Sequence, residues 1–162
     1  MYRRILVPID GSATSTQGLD EAIKLAKLTG ASLRLMHVVD ELAFATGFET
    51  YPVYAADLAP LMKQAGEEIL EQGRARVAAS GIAVDTRLFE TFATRVSELV
   101  VEQAKAWGAD LIVIGTHGRR GVGRLLLGSD AEQIVRTAPV PVLLVRAAQE
   151  QAAMPAKPAA ST

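Results

Sequence analysis

The residues best suited to chemistry fall in one run, Gly115-Thr116-His117-Gly118-Arg119-Arg120-Gly121-Val122-Gly123-Arg124-Leu125-Leu126-Leu127-Gly128-Ser129. Glycines let main-chain N–H groups approach an anion closely and adopt positive φ, so that successive amides point at one charge. Arg119, Arg120 and Arg124 add positive charge, and at least one of them is expected to touch a phosphate. Ser129 opens a predicted helix, whose first N–H groups and dipole favour an anion and whose hydroxyl adds a further hydrogen bond. The run lacks the Gly-Lys-Ser/Thr ending of a Walker A loop, and its spacing differs from the dinucleotide G-x-G-x-x-G pattern. A second segment, Asp10-Gly11-Ser12, sets a carboxylate in a turn and reads either as a turn or helix cap or as a ligand contact. His117 has no nucleophile paired with it and is assigned contact, not catalysis; His37, inside an apolar stretch, reads as a satisfied packing residue.

These segments need elements to position them. Ile5-Leu6-Val7-Pro8-Ile9 is an apolar run suited to a strand buried on both faces of a parallel sheet. Leu19, Ala22, Ile23, Leu25 and Ala26 recur at helical spacing over 13–28 with Gly30 as the stop, and 32–39 reads as a second strand. The stretch 41–60, with Gly47, Pro52, Pro60 and half of the aromatics, reads as a long surface loop, a partner surface or mobile segment before a lid. A helix to about Ala79, a strand over 82–89 and a helix capped by Thr94 or Ser97 and stopped by Gly108 come next. Asp110-Leu111-Ile112-Val113-Ile114 is the clearest strand, 129–137 a short helix, and 140–145 a fifth strand that Pro141 assigns to an edge.

Strands alternating with helices predict an α/β fold: a single doubly wound, five-stranded parallel sheet of order 3-2-1-4-5 with helices on both faces. Winding then reverses between strands one and four, and a crevice opens at their carboxyl ends. The loops bordering it are 10–12 and 115–129, the two segments of most unusual composition.

Composition narrows the function classes. No apolar stretch nears the ~18 residues needed to span a bilayer, and the N-terminal apolar run ends at Asp10, too short for a signal-peptide core. The expectation is a cytoplasmic protein with no membrane partner. A net charge of −1 with scattered Lys and Arg argues against wholesale nucleic-acid binding. The absence of Cys excludes disulfides, thiolate metal sites and cysteine nucleophiles. Residues 147–162, rich in Ala, Pro and Gln, are expected to form a disordered tail after one domain over 1–146.

Gly115-x2-Gly118-x9-Gly128-Ser129, between a strand and a short helix, resembles the ATP-binding motif of the universal stress protein family. The opening strand ending Pro8-Ile9-Asp10-Gly11-Ser12, the segment ending at Gly118 and the close Ala-Pro-Val-Pro-Val-Leu-Leu-Val ending at Val145 are similar to it as well. The resemblance implies that Pro8, Ile9 and Asp10 line a nucleoside pocket, with Asp10 near the ribose or a phosphate-bound Mg2+ or Mn2+. It implies Val39 on adenine, and Gly115, His117, Gly118, Arg119, Gly128, Ser129 and Asp130 around ribose and phosphates. Asp130 departs from the family, where the position after the serine is often apolar, and a second carboxylate beside phosphate needs a cation between. The resemblance also implies a homodimer paired along the 140–145 edge strand, which would cover an exposed edge.

Three functions compete: an ATP-dependent sensor or regulatory module read by a downstream protein, a slow metal-dependent ATP hydrolase, and a nucleotide-free dimeric scaffold. The intact glycine loop and the lack of an obvious catalytic set put the sensor first.

Overall fold

The computed structural model describes residues 1–40, 51–116 and 128–146. Strand β1 (Arg4–Pro8) leads to α1 (Ala13–Thr29), β2 (Ser32–Asp40), α2 (Tyr51–Ala78), β3 (Val84–Thr91), α3 (Val96–Trp107), β4 (Leu111–Gly115), α4 (Ser129–Thr137) and β5 (Val142–Val145). The sheet has the expected order, β3-β2-β1-β4-β5, and every pairing is parallel. Pro141 lies just before the edge strand β5, where its missing N–H removes no ladder bond.

Strand alternation divides the core. Ile5, Val7, Ile9, Leu33, Leu35 and Val113 pack against Leu19, Ala22, Ile23 and Ala26 of α1 and Leu70 and Val77 of α2. Leu6, Met36, Ile112 and Ile114 pack against Val100 and Ala104 of α3 and Ala131 and Ile134 of α4. Because the central strands are covered on both sides, their sequences are continuously apolar instead of alternating.

The structure corrects the sequence in several places, among them β5, which starts at Val142 and not at Val140. Of the expected 41–60 loop, residues 51–60 are the first turns of α2, while 41–50 lie outside the described residues. Pro52 stands at the second position of that helix, where a missing N–H removes no intrahelical bond. Pro60 sits inside it, at a cost of about 3 kcal/mol. Burial of Leu70 and Val77, at roughly 1.5–3 kcal/mol each, outweighs that. Neither Thr94 nor Ser97 caps α3: Arg95 holds the cap position without a side-chain bond, and Ser97 is buried within the helix. The third strand runs two residues later than expected, to Thr91.

Candidate functional site

The turn between β1 and α1 is tightly bonded. Gly11 takes φ +79°, a left-handed conformation that favours glycine. Asp10 Oδ1 accepts the Ser12 N–H at 2.9 Å, an Asx turn that fixes the carboxylate's direction. Ser12 is the α1 cap, its Oγ accepting the Ser15 N–H at 3.2 Å, and Ser15 Oγ donates to the Ser12 carbonyl at 3.0 Å. Asp10 therefore forms the turn and Ser12 supplies the cap. Asp10 is partly exposed and lies just past the carboxyl end of β1.

Across the crevice, β4 ends at Gly115 and the glycine-rich run begins. The Thr116 N–H donates to the Val145 carbonyl, and the Gly128 N–H donates to the Thr116 carbonyl, both at 2.9 Å. Thr116 and Gly128, which flank the run, are thus bonded to each other. His117, Gly118 and Arg119, with Arg120, Arg124 and the 125–127 leucines, lie outside the described residues. Gly128 is the cap residue of α4 and has no side chain with which to bond that helix end, whose first turn carries main-chain N–H donors. Ser129 and Asp130 are exposed in this first turn. A carboxylate there suits the helix dipole by itself, which makes Asp130 the residue least suited to a phosphate.

At Gly115 the structure gives a reason for glycine that the sequence did not show. Positive φ occurs, among the described glycines, at Gly11, Gly30, Gly81 and Gly108, and not at Gly115 or Gly128. Gly115 is required by proximity: a Cβ there would lie 2.7 Å from the carbonyl carbon and oxygen of Thr14. Gly18 repeats the contact one turn on, with its Cβ position 3.2 Å from the Gly115 nitrogen. α1 is thus seated directly on the end of β4, which brings the Asp10 turn and the glycine-run start together at the switch point.

Of the other expected site residues, Pro8 closes β1 opposite Met36, Ile9 is buried on the α1/α2 side, and Val39 is buried near the end of β2. His37 is buried as expected, and its partner is the Ile9 carbonyl at 2.7 Å. The roles of Thr14, Ser15 and Thr116 were not anticipated. The hydroxyl-rich run Ser12-Ala13-Thr14-Ser15-Thr16 was the signal for the first two. No group of three or more His, Asp or Glu that could hold a metal occurs among the described residues. A cation at Asp10 would take phosphate oxygens as further ligands, the usual arrangement for magnesium. A hollow of about 360 Å3 lies at the opposite end of the sheet, by the amino ends of β2 and β3, beside Gly30 and Gly81, with Lys27, Ser32 and Ser80 its polar residues. Among the described residues no helix is long and apolar enough to cross a membrane.

Comparison with known proteins agrees with this geometry. The universal stress protein family profile matches residues 1–146. A universal stress protein of Methanocaldococcus jannaschii is 34% identical over 146 residues, covering 90% of this chain and 83% of its own. A crystal structure of a universal stress protein family member from Burkholderia pseudomallei is 34% identical, covers 90% of this chain and 97% of its own, and has a TM-score of 0.73. A universal stress protein crystallised in complex with cAMP is 25% identical, covers 90% and 97% respectively, and has a TM-score of 0.61.

Proposed function

The chain belongs to the universal stress protein family, and we propose that it is an ATP-binding member, a nucleotide-dependent sensor or regulatory module of a stress response. One observation carries this: the Asp10 turn and the two bonded ends of the glycine-rich run meet at the switch point of the sheet. A relative crystallised with a cyclic nucleotide supports the ligand class.

Ile9, Asp10 and Val39 would hold the nucleoside, and Gly115, Gly128, Ser129 and the N-terminus of α4 the phosphates, together with His117, Gly118 and Arg119. Magnesium or manganese would enter with the phosphates and reach Asp10. When bound, such a cation neutralises phosphate charge; the chain itself supplies orientation through a fixed turn and main-chain donors. The protein acts in the cytoplasm as a homodimer paired along β5, and a downstream protein reads the occupied state.

Titration calorimetry with ATP and magnesium, with ADP release followed in the same preparation, tests the function. Binding that disappears in a Gly118→Val, Ser129→Ala double variant, without steady ADP release, is the expected outcome. Steady release at the ~1 per second or more of ordinary enzymes would make the protein a hydrolase.

A further inference from the structure

We propose that His37 is a positioning residue for this crevice: it fixes the main chain at Ile9, one residue before Asp10, and ties that point to α2. The role presupposes the nucleotide-binding function proposed above.

β1 ends at Pro8, paired with Met36. Ile9 has left the strand, yet both of its main-chain polar groups remain bound to β2. Its N–H donates to the Met36 carbonyl at 2.8 Å, and its carbonyl lies 2.7 Å from His37 Nδ1. A carbonyl only accepts, so Nδ1 carries the proton. His37 is 5% exposed and Ile9 7%. Losing the ring donor would leave a buried carbonyl without that partner, which is the costly half of breaking a hydrogen bond. The two bonds grip the chain on either side of the Ile9 Cα, one residue before the carboxylate that closes on the Ser12 N–H. They set the direction in which the chain enters the turn.

The rest of the ring meets α2. A Cβ at Gly66 would lie 2.8 Å from His37 Cδ2, 2.9 Å from Leu88 Cδ1 and 3.3 Å from His37 Nε2, so the imidazole and Leu88 together occupy the space of a missing side chain. Seven residues on, a Cβ at Gly73 would lie 2.9 Å from Ile9 Cδ1. Glycine inside a helix costs about 1 kcal/mol against alanine. Here two of them, on one face, let α2 reach Ile9 directly and through His37. A displacement of α2 is therefore felt at Ile9 and Asp10, and occupancy of the crevice is felt at α2.

The test uses the full chain, ATP and magnesium. His37→Leu removes the donor, and His37→Asn returns an amide N–H near the place of Nδ1. ATP affinity is expected to fall roughly tenfold in the first, as for one lost hydrogen bond, and to recover most of the way in the second. Gly66→Ala, which crowds the ring and Leu88 from α2, is expected to weaken binding in the wild type and to weaken it less in His37→Leu. The chain has two histidines, so ring nitrogen spectra of the wild type, assigned by the signal lost in either His37 variant or in His117→Gln, read the tautomer even if a His37 variant fails to fold. An Nδ1–H ring whose signal moves on adding ATP is expected. Wild-type affinity in His37→Leu, equal loss in both His37 variants, or an Nε2–H ring would overturn the role. Wild type that binds no ATP would instead overturn the nucleotide-binding function, and this role with it.

Discussion

Gly115 and Thr14 are in backbone contact: a methyl group on the glycine would sit 2.7 Å from the threonine carbonyl. The last residue of β4 and the first turn of α1 are therefore one packed unit, and both crevice loops spring from it. The atom in the way is main chain, which no rotamer change can move aside. Gly115→Ala should destabilise the fold by about 1–3 kcal/mol, as overpacking does. It should also weaken ATP binding beyond what lower stability explains. The midpoint of urea unfolding and calorimetric affinity check the two effects separately.

Asp10 holds its turn through one acceptor oxygen. Asp10→Asn keeps an acceptor for the Ser12 N–H and removes the charge, whereas Asp10→Ala removes both. The alanine variant should lose about 1 kcal/mol of stability, and the asparagine variant should stay close to wild type. If the carboxylate meets a phosphate-bound cation, both variants should lose the gain in ATP affinity that magnesium gives. Titrations with and without the cation measure that difference.

Arg34 is buried on β2, bonded to both carboxylate oxygens of Asp85 at 2.8 and 2.6 Å, with its guanidinium 4.6 Å from the Trp107 ring centroid. It joins β2, β3 and α3 far from the crevice. Because the Asp85 side chain is 46% exposed, water screens the pair, and Asp85→Ala should cost about 1–2 kcal/mol rather than the larger figure for a fully buried pair. ATP affinity should be unchanged, which denaturation and calorimetry on the same variant can show.

β5 is an edge strand, and Leu144 on it is 37% exposed. A charge there disfavours strand-to-strand association. Leu144→Lys should shift the mass measured by light scattering from two chains to one while leaving the circular dichroism spectrum intact. A wild type already of single-chain mass would remove the proposed dimer.

Much of the architecture was legible because buried parallel strands leave continuous apolar runs such as Ile5–Ile9 and Leu111–Ile114, and because Gly30 and Gly108 mark helix ends. The start of α2 was hidden by Pro52 and Pro60, which signal a loop unless distant burial of Leu70 and Val77 is already known. At the site, Asp10 and the glycine run stood out by composition. What Gly115 does could not be read locally, since its contact is with Thr14, a hundred residues earlier in the chain. The same holds for Arg34 and Asp85, 51 residues apart, and for His37, whose partner is the main-chain oxygen of Ile9. A carbonyl carries no signature in the sequence.

The most direct measurement is amide shift mapping of the labelled full chain titrated with ATP and magnesium. The largest shifts are predicted at 10–12, 115–116 and 128–130, converging on one saturable site. No shifts at millimolar ATP, or shifts confined to the opposite end of the sheet around Gly30 and Gly81, would contradict a nucleotide site at the switch point.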